Sequence, residues 1–420
     1  MPAASDPERD PTAGAVEAAA TPGPDTPDLG RRMFFRRFAG ELVQTAASLT
    51  GAAAVAQGAV AGAAAVTQEL ATAATPAATP LTSRPAAAPS MEQLARTHLA
   101  GRGAPWSWDG DRLLLIDQRR LPAAVVAFPV GSAVEAARAI GDRVTTGPSA
   151  AVIAVWGLAL SAEAAAHHPA GTRAALRAGA ERSVLAADPG SHVLRRAVTA
   201  LGAALDAGEP ARAAAERLEA AIVADHERLV ARLALELPRS GVAAPLVHGP
   251  VGTLWGVGVS PILEASLDVR RSVTAPVTVT EGRPWLDGAR VTAWELAQRG
   301  APARVLLDAA GPGAVARAEV DGVLCAAERT AVDGAVSVAP GGLGLAMAAA
   351  HAGVPFVVVA AGWAIDPTAP DAAALGEPPL GAVATARSWG SAVVPVGATV
   401  DAARVEVVPA ELISRLVTPT

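Results

Sequence analysis

The chain has no lysine, no asparagine and no tyrosine, and a single cysteine, Cys325, in 420 residues. Each absence removes a class of chemistry. Without lysine there is no Schiff-base amine, and no side chain of that kind to reach nucleotide phosphates from a phosphate loop. Without asparagine, that source of an amide donor is missing from any site. One thiol cannot close an internal disulfide, and it fits a reducing cytosol, so a cytoplasmic protein is expected. The seven histidines are scattered, His167 and His168 being the one adjacent pair, so Cys/His metal spacing is absent. No metal and no cofactor is expected. All 34 basic residues are arginines, and the net charge of −6 argues against a nucleic-acid binder. What is abundant is apolar: 51% of the chain is hydrophobic, mostly Ala and Val, which is enough to bury a sizeable core.

Residues 1–28 are rich in Pro, Ala, Asp and Thr without periodicity and read as a disordered tail. Residues 29–75 read as an accessory helix. Phe35, Phe38, Leu42, Ala46 and Leu49 share one face behind an arginine-rich start, and an Ala/Gly/Val run follows. Three readings stay open for it: a twin-arginine export signal, a basic amphipathic helix at a membrane surface or protein partner through residues 30–50, or a plain accessory helix. Residues 76–99 form a Pro/Ala/Thr linker.

From Trp106 the pattern changes. An apolar strand at 113–116 precedes a mostly helical stretch over 132–236, with Ala, Leu and Val at three- to four-residue spacing. Short Val/Leu runs then appear at 242–247, 276–280, 304–307, 322–325, 354–360 and 392–396, with helical stretches at 287–299 and 343–352. Strand and helix in alternation predict a parallel sheet covered by helices. The expected fold is α/β, with a helix-rich subdomain over 100–240 followed by a Rossmann-like domain over 241–420. Ligands in such sheets bind beyond the carboxyl ends of the strands.

Several strings, in one order, resemble the family of methylthioribose-1-phosphate isomerases and initiation factor 2B regulatory subunits. Leu114-Leu115-Ile116-Asp117-Gln118-Arg119-Arg120-Leu121-Pro122 resembles the family's opening strand and turn. The segment from Thr280 through Glu281, Gly282, Arg283 and Pro284 to Trp294-Glu295-Leu296 resembles the pattern E-T-R-P-x-x-Q-G-A-R-L-T-A-W-E-L. Ala327-Glu328-Arg329 resembles A-D-R at a strand end, and Val407 to Val417 resembles the closing segment.

The resemblance implies a sugar-phosphate aldose–ketose isomerase scaffold, with a small sugar or sugar-phosphate ligand and a homodimeric state. It also implies that most family chemistry is replaced here. The family's phosphate-site arginine falls on Thr145 and a second arginine on Asp188. The cysteine falls on Gly249, a glutamine on Asp287, the catalytic aspartate on Glu328, and an Asn-Lys pair on Val338-Ala339. These exchanges move the site by roughly five charge units toward negative. His248 keeps its family position, as a site residue or as a strand-end hydrogen-bonder. Glu281, Arg283 and Arg329 remain as candidate ligand groups, with Arg143 nearby. Gly341-Gly342-Leu343-Gly344 falls on the family's phosphate loop. Cys325 reads as a core residue, and Trp156, Trp285 and Trp294 as packing. Glu281 and Glu295 read as capping or bridging groups. Asp188, Asp287 and Glu328 are expected to converge beside His248, with Arg283 and Arg329 neutralising them, or else a proton or a cation. The resemblance leaves two outcomes open: a diverged aldose isomerase, on an aldose 1-phosphate as in methionine salvage or with that reaction lost or altered, and a non-catalytic ligand-sensing or regulatory protein of the initiation factor 2B branch.

Overall fold

The computed structural model describes residues 105–420, apart from 253, 259, 270–275, 377–386, 389–390, 393–394, 396–397 and 399–402. The expectations for the tail, the accessory helix and the linker lie outside these residues.

The described chain opens with an antiparallel meander of β1 (Trp106–Asp109), β2 (Arg112–Ile116) and β3 (Ala127–Val130). Five helices follow: Ala133–Gly141, Gly147–Ala164, Ala170–Ala187, His192–Asp206 and Ala211–Arg239. The second is apolar on every side, and Pro148 through Leu160 are buried without interruption. A helix hydrophobic all round belongs in a core. It is the one described helix long and apolar enough to cross a membrane, and most of it lies inside the molecule. Each Val, Ile or Leu it buries contributes about 1.5–3 kcal/mol.

The expected α/β architecture is present. A six-stranded parallel sheet holds β4 (Pro245–His248), β5 (Val277–Thr280), β6 (Ala303–Leu306), β7 (Gly322–Ala326), β10 (Phe356–Val359) and β14 (Arg415–Val417). Between β7 and β10 the chain makes β8 (Arg329–Thr330) and β9 (Val336–Val338), which β13 (Glu406–Val408) completes as an antiparallel trio. A small ribbon pairs β11 (Arg387–Ser388) with β12 (Ser391–Ala392). The Val run at 392–396 therefore overlaps that ribbon, and the outer place in the parallel sheet is taken by Arg415–Val417.

In space the order is β14-β10-β7-β4-β5-β6. The chain runs outward through β4, β5 and β6, returns to the other side of β4, and runs outward again through β7, β10 and β14. The reversal falls between β4 and β7, which pair in parallel with His248 opposite Cys325. A crevice at the carboxyl ends of two such strands is where doubly wound sheets take ligands. One hydrophobic cluster runs from the helices into one face of the sheet, from Leu113 and Ile153 to Leu324 and Val417. A second, around Phe356, Leu345 and Val323, fills the other face.

Candidate functional site

β4 ends in His248 and runs directly into Gly249, while β7 ends two residues before Glu328. Both sequence-predicted positions thus lie at the switch point. His248 is fully buried and its two ring nitrogens are both engaged. Nε2 lies 3.1 Å from the Ala339 carbonyl and Nδ1 2.9 Å from the Thr280 hydroxyl. A carbonyl only accepts, so Nε2 carries the proton and Nδ1 accepts from Thr280. Burial lowers the pKa of this imidazole, which is neutral and cross-links the ends of β4 and β5 to the loop after β9. These two bonds make His248 a strand-end hydrogen-bonder.

Gly249 has φ +84, and a Cβ built there would stand 3.0 Å from Cβ of Ala339. A thiol-bearing residue in this backbone would be strained and crowded.

Asp188 and Glu328 are brought together, but by a residue the motifs did not reveal. Arg404 places Nη1 2.7 Å from Glu328 Oε2 and Nη2 2.9 Å from Asp188 Oδ2. Burial opposes its charge, but Glu328 and then Asp188 hold its pKa above the ordinary arginine value. A neutralising arginine is therefore Arg404, which the motifs did not point to. Arg329 turns to Asp366, at 2.6 Å, and to the Leu375 carbonyl. The backbone N–H of Arg283 and that of Gly282 donate to the Asp308 carboxylate. Asp287 pairs with Arg143 at 2.7 Å, and among the described residues no contact joins it to the Arg404 bridge. Arg143 adopts φ +58, with its guanidinium 4.4 Å from the centre of the Trp285 ring. Asp188 and Glu328 thus share one bridge through Arg404, and Asp287 forms an ion pair with Arg143. No group of three or more His, Cys, Asp or Glu side chains able to hold a metal occurs among the described residues.

Two helix N-termini near these residues carry contacts from the protein itself. Leu343 N–H, in the first turn of helix Gly342–Ala352, donates to Glu406 Oε2 at 3.0 Å. Thr145 is buried in the turn leading to helix Gly147–Ala164. A Cβ at Gly147, whose φ is +64, would collide with the Trp255 indole nitrogen. An anion needs free N–H groups at a helix start. Here a carboxylate engages one start and an indole packs over the other.

The remaining motif residues act as framing. Arg290 donates to the carbonyls of Gln118, Leu121 and Trp285, clamping the turn after β2 onto the site. Gln118 in turn donates to the Leu254 carbonyl. Glu295 is fully buried and accepts from Leu254 N–H at 3.0 Å, so it bridges to the loop after β4, as expected. Glu281 holds its place through its backbone, donating to Leu306 and accepting from Ala289. Cys325 lies inside β7, buried, and burial alone raises its pKa far above the usual thiol value. It is a core group.

The fold and site therefore define a doubly wound α/β protein whose strand order reverses between β4 and β7, with helix starts and arginine–carboxylate pairs at that end of the sheet. The chain belongs to the initiation factor 2 subunit family, whose family model matches residues 149–420. The methylthioribose-1-phosphate isomerase of Alkalilimnicola ehrlichii is 38% identical over 272 residues, which cover 62% of this chain and 76% of that enzyme. That of Thioalkalivibrio sulfidiphilus is 34% identical over 327 residues, covering 74% and 90%. Among solved structures, 5-methylthioribose 1-phosphate isomerase from Pyrococcus horikoshii OT3 superposes with a TM-score of 0.65 at 21% identity, over 77% of this chain and 93% of that one. The delta subunit of translation initiation factor eIF-2B from A. fulgidus gives 0.62 at 23% identity, over 76% and 94%. At that identity the structural likeness is one of fold.

Proposed function

We propose that this chain uses the isomerase scaffold to bind a sugar-like ligand and does not carry out the aldose–ketose isomerisation of its relatives. The observation that carries this reading is Gly249, directly after β4, with φ +84 and a Cβ there standing only 3.0 Å from the Ala339 Cβ. A reaction that moves a proton or hydride between adjacent sugar carbons needs groups placed to take and return it. No thiol stands at this position, His248 spends both nitrogens on the fold, and Glu328 is tied to Arg404.

The phosphate end of the family substrate is disfavoured as well. Asp188, Glu328 and Glu406 are carboxylates, and the nearby Arg143 and Arg404 are already paired with carboxylates. Each extra like-charge contact at about 4 Å costs roughly 4 kcal/mol at an effective dielectric of 20. Carboxylates and guanidinium groups suit uncharged hydroxyls, which donate to the former and accept from the latter. The test is thermal stability in the presence of methylthioribose and of methylthioribose 1-phosphate at equal concentration. A ligand bound only by the native state raises stability. The unphosphorylated sugar should raise the midpoint more; a larger shift with the phosphate ester would contradict the reading.

A further inference from the structure

A cavity of about 420 Å³ lies at the amino ends of β10 and β14, the opposite end of the sheet from His248 and Glu328. That volume falls within the range of small-molecule sites, about 300–1,000 Å³. Its walls come from the ends of helices Ala211–Arg239 and Gly342–Ala352, and from Pro355 and Ser414, the residues directly before the two strands.

The helix-end carbonyls here are largely occupied. Ser240 N–H donates to the carbonyls of Glu236 and Leu237, Gly241 N–H to that of Pro238, and the Ser240 hydroxyl to that of Leu237 at 2.6 Å. Gly353 and Val354 N–H return to Ala349, and Gly353 also to Ala350. The donors are not all used. Ser414 Oγ accepts from Phe356 N–H at 3.0 Å, which leaves its own proton to give. Arg415 spends Nη1 on Glu236 Oε2, and among the described residues its Nε and Nη2 have no partner. Its side chain is 43% exposed, so that edge is open to a ligand. Arg239 also pairs with Glu236, at 3.4 Å, so two arginines meet one carboxylate and the cluster keeps one net positive charge. A guanidinium edge of two N–H groups matches a carboxylate. In this same chain Arg404 shows one guanidinium serving two carboxylates. Beside Arg415, Ala350, Val354 and Pro355 line the cavity with apolar surface for a short hydrocarbon chain.

We propose that this cavity binds a short aliphatic carboxylate. Its charged end sits on the Nε–Nη2 edge of Arg415 and the Ser414 hydroxyl, and its chain lies along Ala350, Val354 and Pro355. Nothing in this depends on the sugar-like ligand at the other end of the sheet. Hexanoate titrated calorimetrically into the full chain should fill one saturable site. Hexylamine, with the same chain and the opposite charge, should not bind there. Acetate, which lacks the chain, should bind at least about tenfold more weakly. Arg415→Gln should weaken hexanoate binding by about tenfold or more, the worth of a hydrogen bond to a charged group. Glu236→Gln removes the competing carboxylate and should tighten binding, which a merely structural Arg415–Glu236 pair would not do. Ala350→Phe, at an exposed helix position, should fill the cavity and abolish binding. Heats that do not saturate, equal binding of hexylamine, or unchanged hexanoate affinity in folded Arg415→Gln overturns the proposal. If Arg415→Gln does not fold, the other two variants decide: binding no tighter in Glu236→Gln, or unchanged in Ala350→Phe, overturns it.

Discussion

At the scale of single residues, the proposed difference from the isomerases turns on Gly249. Restoring a thiol is the obvious repair, and the backbone resists it. At φ +84 an L side chain costs about 1–2 kcal/mol, before the crowding against Ala339. Gly249→Cys should therefore lower stability by about 1–2 kcal/mol in denaturant titration and gain no isomerase turnover. Unchanged stability would mean that the loop accepts a side chain without strain. Asp188, Glu328 and His248 were legible in the sequence because each sits at or beside a recognisable strand or helix end. It could not show Arg404, which lies 216 residues from Asp188 and 76 from Glu328, in a segment with no motif. Nor could it show that Arg329 turns away, since only the position of Asp366 decides which way that guanidinium points.

At the scale of elements, Arg404 ties the end of helix Ala170–Ala187 to the end of β7. Its partners are about a quarter exposed, so part of the charge is screened. Arg404→Ala should still cost about 2 kcal/mol, below the range for a fully buried pair, because two carboxylates lose their counter-charge. Arg404→Ala combined with Asp188→Ala should cost less than the two changes summed, because the partners share one network. Strict additivity in denaturant titrations would show that no bridge forms in solution. Helix Gly147–Ala164 gives a second test. Gly147→Ala should destabilise through both its φ of +64 and its collision with Trp255. Adding Trp255→Ala should recover part of that loss; no recovery would place the strain in the backbone alone. The sequence made most of these elements visible, because apolar runs at 276–280, 322–325 and 354–360 switch cleanly from the helical period before them. It hid the outer strand Arg415–Val417, where three residues between polar neighbours carry no period to read. It also merged the π-turn Gly288–Thr292 and helix Ala293–Gln298 into one helix, since both keep the same apolar face.

At the scale of the whole molecule, the alternation of strand and helix was enough for the α/β class, because only a parallel sheet satisfies that pattern. The reversal between β4 and β7, which locates the candidate site, depends on which strands pair and had to come from the structure. The same scale sets the response to acid. Burial lowers the pKa of His192, His226 and His248 from the ordinary value of 6.5. The unfolded chain then binds more protons than the native one below that pH, so their contribution is present above about 6.5 and lost as pH falls toward the folded values. The melting midpoint should drop between about pH 7 and 5; a midpoint that rises over that interval would contradict the neutral assignment of these rings. The central proposal is that a family scaffold persists here without the family reaction. Its most direct test is a turnover assay of the purified chain with methylthioribose 1-phosphate, beside one of the related isomerases under the same conditions. The account predicts no ketose above the uncatalysed rate. Ketose formed at a turnover typical of enzymes, on the order of 1 per second or faster, would contradict it.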